Sequence, residues 1–208
     1  MTDGFHPTPD GFVSATFTPT EVRVLSSLLG EIIELLRDGT PSKANRPDDP
    51  FAQLVGEVAS GHPPEDPVLA RLLPSAYPDD DAASGEFRRF TEMGLRDGKV
   101  RNAEVVLAGL AGQHRAGSSP DGSDDEPFGL PSPELSEDRE VTVRLGPDEI
   151  QAWLRTLTDL RLALATRLGV EQDDEDEWYG LPADDPVRQV YQVYSWMGFV
   201  QESLVVSL

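Results

Sequence analysis

Hydrophobic residues recur at helical spacing in six stretches of this chain and alternate with polar residues in two. The strongest helical stretch runs from Trp153 to Val170. At ~100° per residue, Trp153, Leu157, Leu160, Leu164 and Leu168 fall on one narrow stripe, which Leu154 and Ala165 widen. Leu162 lies on the far side of the wheel, so the pattern predicts a central helix with neighbours on more than one face. Its limits are set by local chemistry. Gly146 is the N-cap, Pro147 takes the first helical position, and Asp148 and Glu149 favour the positive end of the dipole. Arg167-Leu168-Gly169-Val170 then has the form of a Schellman stop.

Phe12 to Phe17 reads as a strand, with Val13, Ala15 and Phe17 alternating against Ser14 and Thr16. Thr18-Pro19-Thr20-Glu21 follows as a capping box. It opens a helix with Val22, Leu25, Leu29, Ile32, Ile33 and Leu36 on its apolar side, ending near Asp38-Gly39. The same design returns in the strand Glu140 to Leu145 and the cap Gly146-Pro147-Asp148-Glu149. An offset of 128 residues aligns Phe17 with Leu145, Pro19 with Pro147, Glu21 with Glu149 and Leu29 with Leu157. Chance produces such an alignment as readily as duplication does. In either case two lone strands are expected to pair with each other, antiparallel.

Asp49-Pro50 opens a short helix over Phe51, Leu54 and Val55, and Asp66-Pro67 opens another from Val68 to Leu73. A longer helix is predicted from about Ala82 to Leu110, with Phe87, Phe90, Val100, Ala103, Leu107 and Leu110 as its apolar side. Asp97-Gly98 is its weak point. In the last helix, Val187 to about Val206, the apolar arc exceeds half the circumference, which suits the inside of a bundle or a dimer seam. Val190, Tyr194, Trp196, Met197, Val200 and Leu204 are therefore the candidate core or dimer surface. Residues 1–11, rich in Pro, Gly and Asp, are expected to be a disordered tail, and about 112–138 a mobile acidic linker. The fold expectation is a mainly α bundle of about six helices with a small two-stranded antiparallel sheet, forming a single domain over 12–208.

Charge and composition narrow the function. With 38 acidic against 17 basic residues, the net charge of −21 repels a phosphate backbone, so nucleic acid and anionic membranes are poor partners. The absence of cysteine excludes disulfides, thiolate metal sites and thiol nucleophiles from these 208 residues. The N-terminus lacks a basic, apolar leader, and no apolar run approaches the ~20 residues needed to span a bilayer. A cytoplasmic location is expected.

Candidate chemistry is sparse. His6, His62 and His114 lie in loops or at a helix end, with no metal-ligand spacing. Asp121 to Asp125 resembles the start of a calcium loop, but Glu126 stands where glycine is needed and Ser132 where the bidentate glutamate belongs. The acidic run Asp173 to Glu177 also fails this pattern. No phosphate-binding glycine loop and no nucleophile elbow occurs, so no cofactor, no metal and no enzymatic activity are expected. The arginines remain. Arg88, Arg89, Arg161 and Arg167 are candidates for binding an anion or a partner. Internal ion pairs to Glu86, Glu92, Asp159 or Glu202 are the favoured alternative, because a buried guanidinium needs acceptors.

Leu69 to Tyr77, Glu86-Phe87-Arg88-Arg89-Phe90-Thr91-Glu92, Trp153 to Gly169, Tyr194-Ser195-Trp196 and Gln201 to Leu204 together resemble an uncharacterised actinobacterial family, the domain of unknown function numbered two-thousand-seventeen. The resemblance covers most of the chain from about residue 12. Members of that family are typically encoded near the adaptor ClpS and a JAMM-type metallopeptidase, which implies a link with regulated proteolysis. The resemblance implies no catalytic residues. Three functional expectations follow. The first is a non-enzymatic interaction or adaptor protein with a protein partner, and with a homodimer as a candidate state. The second is a binder of an anionic small molecule between helices; a stress factor with no stable partner is a third.

Overall fold

The computed structural model describes residues 2–38, 61–112, 140–170, 178 and 180–208. Five helices and three short strands make up these residues. In chain order they are β1 (His6–Pro7), β2 (Val13–Phe17), α1 (Pro19–Asp38), α2 (Pro67–Leu72), α3 (Asp81–Gly112), β3 (Val141–Leu145), α4 (Pro147–Leu168) and α5 (Pro186–Val206). The protein is mainly α. The short helix expected over Phe51 to Val55 and the linker expected at about 112–138 lie outside the described residues, apart from Gly112.

α4 sits at the centre, packed on α1, α2, α3, α5 and β3. Its leucine stripe is buried with Trp153, Leu157, Leu160 and Leu164. Glu149 accepts the N–H of Gly146 at 2.7 Å, and Gly169 ends the helix in the left-handed region at φ 65°. The N–H of Val170 then reaches the carbonyl of Ala165 at 3.0 Å, closing the Schellman stop. The first capping box forms in the same way, with the N–H of Thr18 donating to Glu21 Oε2 at 2.8 Å.

β2 and β3 pair antiparallel from Val13 opposite Leu145 to Phe17 opposite Val141. Ala15 faces Val143 at the centre of the ladder, and those two residues are the ones that the offset between the two strand-cap-helix units equates. The two units thus meet about a local pseudo-two-fold axis through that pair.

The sheet has a third strand because the N-terminal segment is part of the fold, which corrects the expectation of a disordered tail over residues 1–11. β1 pairs with β2 through His6 opposite Ser14 and Pro7 opposite Val13. Phe5 is buried, edge-on to Phe17 at 6.0 Å and to Trp153 at 5.4 Å, while Phe17 stacks on Trp153 at 5.7 Å. The Phe5 N–H donates to Ser203 Oγ at 2.9 Å, and Ser207 Oγ donates to the Phe5 carbonyl at 2.7 Å. Gly4 makes this approach possible: it has φ 82°, and a Cβ there would lie 2.7 Å from Ser203 Cβ. Burial of one aromatic ring outweighs a composition that otherwise favours disorder.

Candidate functional site

α3 departs from its expected amphipathic pattern in its first four turns. The residues turned inward there are Ser84, Arg88, Glu92 and Arg96, spaced four apart, while Phe87, Phe90, Met93 and Leu95 are exposed by 45, 79, 41 and 51%. Phe87 and Phe90 therefore do not lie on the buried side. Hydrophobic periodicity fails here because three charged side chains satisfy one another inside. Val100, Ala103, Val106 and Leu110 restore an apolar buried side in the second half, and the helix continues through Asp97-Gly98 without a break.

The inward charges form a ladder. Glu92 accepts Arg88 Nη1 at 2.9 Å through one oxygen, and Arg96 Nε and Nη2 at 2.9 and 2.7 Å through the other. The three side chains are only 6, 10 and 4% exposed, for Arg88, Glu92 and Arg96 respectively. Each guanidinium spends another donor on a helix end: Arg88 Nη2 on the Leu73 carbonyl at 3.1 Å, and Arg96 Nη1 on the Leu36 carbonyl at 3.0 Å. Leu73 is the C-cap of α2, and Leu36 is in the last turn of α1. Two cations against one anion leave an excess positive charge, which the negative ends of two helix dipoles offset. The ladder therefore pins the C-termini of α1 and α2 to α3. The spacing of Arg88, Glu92 and Arg96 at i, i+4 and i+8 is the signal that could have revealed it in the sequence.

A second, part-buried pair joins α3 to α4, where Lys99 Nζ donates to Asp159 Oδ1 at 2.7 Å. Burial pushes the Asp159 carboxyl above its usual range, and the Lys99 bond opposes that shift. At the N-terminus of α1 burial raises Glu21, but the N–H groups of Thr18 and Thr2 outweigh it and hold the carboxyl below its usual range.

The four candidate arginines do not converge. Arg88 is consumed in the ladder, and Arg89, its neighbour about 100° round the helix, is exposed. Arg161 lies between α4 and α5, where Nη1 donates to Gln201 Oε1 at 2.8 Å and the guanidinium carbon is 5.2 Å from the Tyr194 ring centre. Its acceptor is thus an amide, and Nε is buried without a partner. Arg167 is exposed at the end of α4, 3.8 Å from Glu31. The clefts touching Arg167 and Arg88 measure about 30 and 20 Å³, against the ~300–1,000 Å³ of a site that buries a small molecule. Of the carboxylates named as alternatives, Glu92 and Asp159 hold cations, whereas Glu86 and Glu202 are exposed.

In α5, Met197, Val200 and Leu204 are fully buried in the chain's own core, and Val190, Tyr194 and Trp196 pack partly buried against it. Phe199, Val205, Val206 and Leu208 are the residues that remain exposed at this end. His6 and His62 are exposed, and His114 and both acidic runs lie outside the described residues. Among the described residues, no three His, Asp or Glu side chains are grouped to hold a metal, and no helix is long and apolar enough to cross a membrane.

Against known families, residues 2–208 match the one described as Domain of unknown function (DUF2017). The chain belongs to this family. It is 28% identical over 202 residues to the protein named "Oxidative stress regulator AosR" in Mycobacterium tuberculosis (strain ATCC 25618 / H37Rv), covering 93% of this chain and 81% of that one. The Mycobacterium bovis protein of the same name matches equally. The "Putative oxidative stress regulator AosR" of Mycobacterium leprae is 28% identical over 204 residues, 91% of this chain and 79% of that one. No solved structure gives a significant match.

Proposed function

We propose that this chain is a non-enzymatic regulator of the response to oxidative stress, acting by contact with a protein partner on the outer face of α3. The names of its relatives support the process. The observation that carries the contact is the exposure of Phe87, Phe90 and Met93, spaced three apart on a helix that turns Arg88, Glu92 and Arg96 inward. Tyr77, also exposed, extends the face edge-on to Phe87 at 6.1 Å. Grouped exposed apolar side chains, rimmed by polar residues, mark interaction sites.

The chemistry of the partner follows from the rim. Glu86, Phe90, Met93 and Asp97 share one stripe at i, i+4, i+7 and i+11, and Asp79, Asp80 and Asp81 stand at the start of the helix. Arg89 and Arg101 are the opposing exposed cations. A protein segment with apolar anchors and basic flanks fits this surface and the charge of −21. The family resemblance implies a component of regulated proteolysis as the class in which to seek such a segment. The alternative of an anionic ligand between helices is disfavoured by arginines that point to different places and by the small clefts, about 30 and 20 Å³, that touch Arg167 and Arg88.

The test is genetic and physical. Deleting the gene in its source organism should lower survival of an oxidant challenge at least tenfold, and the wild-type chain should restore it; unchanged survival contradicts the role. Light scattering should give a monomer. A dimer that Phe90→Glu dissociates would make a second copy the occupant and overturn the basic-partner reading.

A further inference from the structure

The chain has three sulfur atoms, all in methionine, because it contains no cysteine. Of the two beyond the N-terminal residue, Met197 is fully buried in the core. Met93 is exposed, one helical turn from Phe90, between Glu86 and Asp97 on the outer stripe of α3. We propose that Met93 is a reversible oxidation site, through which hydroperoxides change the apolar character of the α3 face. The proposal rests on the role in oxidative stress proposed above.

The step balances without any group from the protein. A lone pair on the Met93 sulfur attacks one oxygen of the hydroperoxide, an S–O bond forms and the O–O bond breaks. The leaving hydroxide takes the proton from the transferred oxygen, so sulfur loses two electrons and hydrogen peroxide departs as water. The product sulfoxide is polar and chiral where the thioether was apolar, and methionine sulfoxide reductases reverse it. Because Met93 fills no part of the core, the change falls on the docking face and leaves the fold intact. The ladder on the inner side of the same helix holds α3 in register while its outer side is modified.

Hydrogen peroxide added to the folded chain, followed by peptide mapping, reads the site directly. Met93 should gain oxygen at least tenfold faster than Met197, and the oxidised chain should elute earlier from a phenyl column, with Tm unchanged. Equal rates at the two methionines, or unchanged retention after full oxidation of Met93, would overturn the proposal. In cells given sublethal peroxide, the Met93 sulfoxide fraction should rise several-fold and fall again once the peroxide is removed. If Met93 stays a thioether in cells whose survival depends on the gene, the oxidation site is wrong and the stress role stands. If deletion of the gene has no effect on survival, the stress role itself fails.

Discussion

Glu92 is the residue on which most of the internal electrostatics turns. Its two oxygens hold two guanidiniums, and those guanidiniums hold the ends of α1 and α2. Removing one partner of a buried ion pair costs about 3–5 kcal/mol, because the remaining charges stay buried and uncompensated. Glu92→Ala should therefore lower the unfolding free energy by about that amount in urea titrations. Arg161→Ala removes one bond to Gln201 and the contact with Tyr194, and should cost about 1–3 kcal/mol. Glu21→Gln should cost about 1 kcal/mol at neutral pH through its capping bonds. The folded chain holds the Glu21 carboxyl below its ordinary value, so the unfolded state binds the proton more readily. Its contribution is present above the unfolded-state pKa and lost as pH falls through the folded-state value. The gap between wild type and Glu21→Gln should therefore close in acid; a constant gap down to low pH would contradict this cause.

At the scale of elements, the sequence is informative wherever the determining chemistry is local. Thr18 to Glu21, Gly146 to Glu149 and Gly169 mark helix ends through contacts within a few residues, and these ends form as expected. The failures are tertiary. Phe5 stands among residues typical of disorder, and its burial depends on Phe17, Trp153 and Ser203, which are distant in the chain. Phe5→Ala should cost about 3–5 kcal/mol, as an aromatic core truncation, in a denaturation experiment. A loss below ~1 kcal/mol would show that the N-terminal segment is only loosely attached. The first half of α3 was legible only in part: internal pairing of Arg88 with Glu92 was among the expectations, whereas the inward turn of Arg96 and the exposure of Phe87 and Phe90 were not. Hydropathy places arginine outside, and only the four-residue spacing of Arg88, Glu92 and Arg96 hints that they neutralise one another. The fold class was legible from periodicity; which arginines are consumed internally was not, because that depends on the Leu36 and Leu73 carbonyls supplied by other helices.

For the whole molecule, the buried charges on the inner side of α3 serve stability, while its outer side, where Phe87, Phe90 and Met93 stand among Glu86 and Asp97, is the surface proposed for contact. Substitutions on the inner side should unfold the chain, whereas those on the outer side should leave Tm nearly unchanged, within the ±0.5 kcal/mol usual for surface positions. The charge of −21 acts at this scale too, favouring basic partners and making their association sensitive to salt. The most direct test of the account is Phe90→Glu, introduced as the sole copy in the source organism. This variant should keep wild-type Tm and abundance while survival of oxidant challenge falls to that of the deletion strain. Wild-type survival with this variant would contradict it.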